Sequence, residues 1–102
     1  MARVAWTARL RPGMVEEYVE AHANVWPEAL AAITAAGIRN YSIYLFENRV
    51  FAYYECDDPE EALRIEAEAE ATQRWRAQMR RLFEDEVATD GVVFLPEIFR
   101  LD

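Results

Sequence analysis

The chain has 102 residues, with 19 acidic and 11 basic side chains, and its formal net charge is −8. A length of roughly 100 residues supports one hydrophobic core, so we expect a single domain over residues 1–102. The composition, 53% apolar with few Gly and Pro, excludes disordered and collagen-like classes. The negative charge argues against nucleic acid or an anionic membrane as the main partner.

Three residue types exclude further kinds of chemistry. Every basic residue is Arg, whereas a Schiff base and a P-loop both need Lys. Cys56 and His22 are the only residues of their types, while zinc sites normally need three or four Cys or His ligands, so we expect no metal and no cofactor. No apolar run approaches the ~20 residues of a membrane span, and a secretion signal is not evident. We therefore expect a cytoplasmic protein without disulfides.

A strand and a helix in two pieces come first in chain order. Residues 4–10 alternate between an apolar and a mixed face, which is the period of a strand. Residues 14–36 have a helical pattern, but Pro27 cannot lie deep inside a continuous helix. The sequence predicts a first helix that ends before Asn24, and a second that Asn24 caps and Gly37 ends.

A hairpin and a second helical region follow. Residues 38–46 and 50–56 are rich in β-branched and aromatic side chains, and the linker 47–49 is short, which predicts a β-hairpin. Asp58 and Pro59 then have the features of a helix start, with the Asp side chain as the cap and Pro in the first turn.

The last third of the chain completes the second helical region and adds a strand. Residues 66–71 alternate Glu and Ala, but both are strong helix formers, so we predict helix. A second helical segment is predicted over residues 72–86, a turn at 90–91 and a strand over 92–101, in which Pro96 indicates an edge or a bulge.

The predicted order, β-α-β-β-α-β, is that of an α+β, ferredoxin-like fold. Its helices cover one face of the sheet, and the other face is left to solvent or to a partner. The strands carry aromatic side chains on both faces, as in Tyr41 against Tyr44 and Tyr53 against Tyr54. An uncovered aromatic face is an interaction surface, so we predict a homodimer.

Tyr18, His22 and Trp26 recur at intervals of four along one face of the first helix. A neutral imidazole can both give and take a proton near neutral pH, which makes His22 a candidate general acid–base. A structural histidine is the alternative, and spacing alone favours it. Tyr41 and Trp75 can line the same pocket as a hydroxyl donor and an aromatic wall for a sugar, although core packing is the commoner role of such residues.

With these residues in place, the chain resembles the L-rhamnose mutarotase family over essentially its whole length. The shared pieces are four: Tyr18, His22 and the run Trp26-Pro27-Glu28; the strand that begins Asn40-Tyr41; Gln73-Arg74-Trp75; and the closing Glu97-Ile98-Phe99.

The resemblance implies a dimeric α/β-barrel fold, interconversion of the α and β anomers of L-rhamnose, and no cofactor. It assigns His22 as the proton donor and Tyr18 and Tyr41 as sugar-binding residues. Trp75 matches the first of two adjacent aromatic sugar contacts. The second is usually tryptophan, whereas this chain has Arg76, which offers hydrogen-bond donors in place of an apolar plane or else joins ion pairs on the helix surface.

Two other functions remain open at this point. One is a cofactorless oxygenase or a heme-binding enzyme on a similar dimeric barrel, for which His22 would be the axial ligand. The other is a non-catalytic sugar-binding or dimerisation module, which would bind a neutral monosaccharide without accelerating its anomer exchange.

Overall fold

A computed structural model describes residues 1–84 and 92–102 of the chain. The elements, in order, are β1 (Ala2–Arg9), α1 (Val15–Ala23), α2 (Pro27–Ala35), β2 (Arg39–Phe46), β3 (Arg49–Cys56), α3 (Pro59–Glu68), α4 (Glu70–Arg80) and β4 (Val93–Leu95). This is the predicted order with each helical region in two pieces, and the α+β, ferredoxin-like fold is confirmed. No helix in the described part of the chain is long and apolar enough to cross a membrane.

The four strands form one antiparallel sheet in the order β2-β3-β1-β4. One row of paired residues crosses all four strands and comprises Ile43, Ala52, Trp6 and Phe94. The helices pack on this side of the sheet, because the core combines its residues with helix side chains such as Tyr18. We call this surface the helix face.

The opposite surface of the sheet carries a second row, made of Tyr44, Phe51, Thr7 and Val93. We call it the open face. No described helix packs on it, and Tyr44 is 64% exposed. The sheet is therefore covered on one side, while its open face presents aromatic and aliphatic side chains among polar ones such as Thr7.

Cys56 ends β3, where it pairs with Ala2 of β1. It is a free thiol and almost fully buried, together with Leu10, Val50 and Leu82. Burial raises the pKa of the Cys56 thiol, which is the opposite of what a reactive nucleophile needs. The cysteine is a small core residue.

The junction between α1 and α2 differs from the prediction at one residue. Asn24 ends α1 as its C-cap and does not cap α2. Trp26 precedes α2 without a side-chain cap, in the extended conformation that a residue before proline prefers. Pro27 needs no hydrogen-bond partner at the first helical position, so α2 begins without a polar cap. Gly37 ends this helix as predicted, with a φ of 84°.

The second helical region begins as predicted and breaks earlier than predicted. The Asp58 carboxylate accepts a hydrogen bond from the Glu61 backbone N–H at 3.2 Å, which confirms the cap. The break lies at Ala69 rather than at residue 72, and α4 ends at Arg80. The Gln73 side-chain amide donates to the Ala67 carbonyl oxygen at 2.8 Å and stabilises the break. The predicted helix over residues 72–86 is therefore too long, since residues 81–84 are not helical. The predicted turn at 90–91 lies outside the described residues.

The last strand is much shorter than the predicted range 92–101. Only Val93–Leu95 pair with β1, because Pro96 has no N–H to continue the ladder. Residues 96–102 have no regular secondary structure. Glu97 nevertheless stays at the sheet, where its Oε2 lies 3.3 Å from Nε of Arg3.

Candidate active site

A cavity of about 380 Å³ lies between the helix face of the sheet and the helices. All five residues singled out in the sequence line it: Tyr18, His22, Tyr41, Trp75 and Arg76. An aromatic wall with a few polar groups is typical of sites for small neutral ligands. Within residues 1–84 and 92–102, no group of three or more His, Cys, Asp or Glu side chains is placed to hold a metal ion.

His22 is oriented by the helix on which it lies. Its Nδ1 is 2.9 Å from the backbone carbonyl oxygen of Tyr18, one turn earlier in α1. Because a carbonyl oxygen only accepts, Nδ1 carries the proton, and Nε2 of the neutral ring is left as the acceptor. Burial lowers the pKa of His22, and the backbone hydrogen bond opposes that shift. The neutral imidazole is therefore the main form near pH 7.

Aromatic rings hold the imidazole and form one wall of the cavity. The Tyr18 ring lies 4.3 Å from the His22 ring, and the Trp75 ring meets it edge-on at 5.4 Å. Trp26 does not line the cavity, but its ring supports Trp75 at 5.2 Å, again edge-on. Of the three residues that recur along this helix face, Tyr18 and His22 thus line the cavity, and Trp26 supports the cavity wall from behind.

A β-bulge turns Tyr41 toward the cavity. Between residues 39 and 42, β2 has one residue more than β3, so Asn40 and Tyr41 together stand opposite Tyr54. Strict alternation from residue 39 would place Tyr41 on the open face, and the extra residue reverses its side. Asn40 absorbs the irregularity with a φ of 51°, a left-handed conformation that Asn tolerates better than most residues.

The tyrosine hydroxyls at the cavity stay protonated at neutral pH. Burial raises the pKa of Tyr41 to about 12, while a hydrogen bond from Trp6 opposes the shift. Burial also raises the pKa of Tyr18 well above its ordinary value. Both hydroxyls can therefore donate hydrogen bonds to the oxygens of a ligand.

Further polar residues line the cavity that sequence analysis did not single out, namely Glu66, Tyr54, Thr72 and Arg80. Two of them bear on ligand binding. The first is Glu66 on α3, which is 9% exposed and whose Oε1 lies 3.6 Å from Nη2 of Arg76. The second is Tyr54 on β3, whose buried hydroxyl has no hydrogen-bond partner among the described residues. The signal was present for Glu66, since it follows Ala62 by four residues on the buried side of α3.

A family model described as L-rhamnose mutarotase matches residues 3–101 of the chain. The chain is a member of the L-rhamnose mutarotase family. A mutarotase interconverts sugar anomers, so the predictions of this family and of an isomerase are confirmed.

Individual members of the L-rhamnose mutarotase family align over most of the chain. The L-rhamnose mutarotase of Bacillus subtilis is 41% identical over 90 residues, which cover 85% of this chain and 86% of that protein. That of Listeria monocytogenes is 39% identical over 104 residues, with 99% of each chain covered. The crystal structure of the L-rhamnose mutarotase from Formosa agariphila superposes with a TM-score of 0.81 at 25% identity, covering all of both chains.

An antibiotic biosynthesis monooxygenase shares the fold with this mutarotase family. Its crystal structure superposes with a TM-score of 0.66 at 14% identity, covering 96% of this chain and 99% of that one. At such low identity the likeness concerns the fold alone, so it gives no support to the oxygenase alternative.

Proposed function

We propose that this protein interconverts the α and β anomers of L-rhamnose, with His22 as the group that moves the proton. The observation that carries the proposal is the convergence of Tyr18, His22 and Tyr41 on one cavity in a chain that matches the L-rhamnose mutarotase model over residues 3–101.

The reaction needs one proton to leave the anomeric hydroxyl and one to reach the ring oxygen. As the ring opens, the bond between C1 and the ring oxygen breaks, and C1 forms a carbonyl with O1. The aldehyde then rotates about the C1–C2 bond and closes on its other face. No electron is transferred, so the chemistry requires no redox cofactor.

A single imidazole can serve both oxygens, because both are bonded to C1. In the proposed step, neutral Nε2 of His22 accepts the proton of O1, and the imidazolium then gives a proton to the ring oxygen. When the His22 imidazolium gives this proton to the ring oxygen, it acts as the proton donor, which is the role that the family resemblance assigns to it. General acid–base assistance of this kind contributes roughly 10² to 10⁴ in rate.

The remaining cavity residues would hold the sugar. Tyr18 and Tyr41 keep their protons and can donate hydrogen bonds to hydroxyl groups of the ring. Trp75 supplies an apolar face for the C–H side of the sugar, and Arg76 supplies donors at its edge.

A homodimer is part of the proposal. Phe46 is 69% exposed, and Tyr44, Phe51, Val93 and Leu95 are exposed on the same open face. So many exposed large apolar side chains on one face suit a second copy of the chain, as the family resemblance implies.

The setting completes the proposal. We propose one domain over residues 1–102 that works in the cytoplasm on a neutral monosaccharide, without nucleic acid or membrane as a partner. The buried free thiol of Cys56 is compatible with a reducing compartment, and one core cluster includes residues from β1 to α4 and beyond.

Saturation-transfer NMR of L-rhamnose tests the function, because it measures exchange between anomers at equilibrium. We expect exchange above the buffer rate with the wild-type protein and a fall of roughly 10² to 10⁴ in the catalysed rate for His22→Ala. The control is Glu20→Ala, an exposed position on the same helix.

The outcomes separate the parts of the proposal. A wild-type rate equal to that of buffer would overturn the function, and saturable binding without exchange would identify a non-catalytic sugar-binding module. An unchanged rate in His22→Ala would remove only the role of His22.

A further inference from the structure

The Tyr54 hydroxyl is a buried polar group without a hydrogen-bond partner among the residues that the structure describes. The residue is 3% exposed, and it lines the cavity from the helix face of β3. No described residue hydrogen-bonds its oxygen. Since buried hydroxyls are nearly always paired in native proteins, an orphan at a cavity wall points to a group that enters the cavity.

Glu66 and Arg76 supply a carboxylate and a guanidinium at the same cavity. Their closest atoms are 3.6 Å apart, which is an ion pair but longer than a hydrogen bond. Both side chains therefore keep capacity for a further partner. Tyr54, Glu66 and Arg76 line the same cavity. Burial is the main cause that raises the pKa of the Tyr54 hydroxyl; the charge of Glu66 raises it further, and that of Arg76 lowers it.

The combination selects for a particular kind of ligand group. The opposite charges of Glu66 and Arg76 offset each other, so this pair by itself favours neither an anion nor a cation. A hydroxyl group suits them, because it donates to a carboxylate and accepts from a guanidinium or a phenol. An apolar methyl group would leave the buried Tyr54 hydroxyl without a partner and would give Glu66 and Arg76 no partner beyond each other, which is costly for buried polar groups.

We propose that Tyr54, Glu66 and Arg76 form a hydroxyl-binding subsite that makes this protein prefer a sugar with a hydroxymethyl group over its 6-deoxy counterpart. The proposal rests on the proposed function for the identity of the ligand as a neutral aldose. L-Rhamnose carries a methyl group at C6, its one substituent without oxygen. L-Mannose has the same ring configuration and a hydroxyl at C6, so the two sugars differ by that group alone.

Binding of the two sugars measures the subsite independently of catalysis. Trp6 and Trp75 line the cavity, so a titration of tryptophan fluorescence gives the Kd of each sugar. We expect wild-type protein to bind L-mannose roughly tenfold more tightly than L-rhamnose, the value of about one well-made hydrogen bond to a charged group. Tyr54→Phe and Glu66→Gln are expected to bring this ratio close to one, and Arg76→Trp to invert it.

Neighbouring residues provide matched controls. Tyr53→Phe removes a hydroxyl from the adjacent residue of β3, which pairs on the open face with Ser42. Glu68→Gln changes an exposed carboxylate of α3 that pairs with Arg64. Both controls are expected to keep the wild-type ratio of affinities.

The results distinguish the subsite from a structural role and from the proposed function. Equal weakening of both sugars by Tyr54→Phe and Glu66→Gln, or a wild-type preference for L-rhamnose, would overturn the subsite. A loss of kcat without a change in the affinity ratio would overturn it too, and would identify Glu66 as a proton acceptor instead. If the affinity ratio is as expected but neither sugar exchanges faster than in buffer, the subsite stands and the proposed function fails.

Discussion

The imidazole of His22 donates from Nδ1 to the backbone carbonyl oxygen of Tyr18, at 2.9 Å and within the same helix. The bond fixes the tautomer without a second side chain, so the reacting nitrogen is set by local helix geometry. The cost of burial lowers the pKa of the ring, and the protein therefore presents a neutral base to its cavity near pH 7.

The first prediction concerns the pH dependence of exchange. Because the pKa of His22 is lowered from its ordinary value of about 6.5, the catalysed rate should be constant near neutrality and fall only at pH values below that. NMR exchange rates across about pH 4 to 8, corrected for the buffer reaction at each pH, measure this. A catalysed rate that rises as the pH falls would show instead that the imidazolium is the starting form.

The second prediction concerns stability in alkaline solution. The pKa of Tyr41 is about 12 in the folded protein and about 10 when unfolded, so between these values the unfolded chain loses a proton that the folded chain keeps. The free energy of unfolding should therefore fall as the pH rises from about 10, by on the order of 1 kcal/mol per pH unit for this group. Urea unfolding of wild type and Tyr41→Phe should show a shallower loss in the variant. An equal loss in both would assign the effect to other residues.

The third prediction concerns the β-bulge at Asn40. Its side-chain amide donates to Oε1 of Glu55 at 2.8 Å, and its φ is 51°. Asn40→Gly and Asn40→Ala lose the same hydrogen bond. Only in Asn40→Ala is the left-handed backbone conformation also unfavourable, by roughly 1–2 kcal/mol. We expect Asn40→Ala to have the lower urea midpoint and to bind L-rhamnose more weakly, because the bulge orients Tyr41. Equal behaviour of the two variants would mean that the backbone conformation does not position Tyr41.

The fourth prediction concerns the open face. Phe46→Arg places a charge in the exposed aromatic patch, and we expect it to shift the protein from dimer to monomer in static light scattering at micromolar concentration. Leu30→Arg is the control, since Leu30 is a similarly exposed apolar residue on α2. A wild-type protein that is already monomeric would remove the dimer from the proposal.

Local patterns were sufficient for most of the fold and for placing Tyr18, His22 and Tyr41 at the site. The four-residue spacing of Tyr18 and His22 places both on one side of α1, and alternation from Tyr41 to Ile43, past the bulge, places both on the helix face of β2. These relationships lie within one element, where the period of a helix or strand determines which residues share a face.

The pair of Glu66 and Arg76 was beyond this kind of reasoning. Ten residues apart on a continuous helix, they would be separated by about 15 Å along the axis. They meet only because the helix breaks at Ala69, within a run of Glu and Ala whose helix propensities give no sign of a break. The two wrong predictions, the cap at Asn24 and the length of the last strand, have a cause of their own. In each, a proline, Pro27 or Pro96, determines where the element begins or ends, whatever the side-chain pattern around it.

The chain's one cysteine, Cys56, is buried, so the reactivity of its thiol can report local opening of the structure. The Cys56 thiol lies at the end of the long pairing between β1 and β3 and belongs to the core cluster, so a labelling reagent can reach it only when the structure around it opens. The rate of thiol modification in native buffer therefore measures the free energy of that opening, without an engineered probe. Compared with the free energy of global unfolding, it reveals whether the structure around Cys56 opens alone or only when the whole domain unfolds.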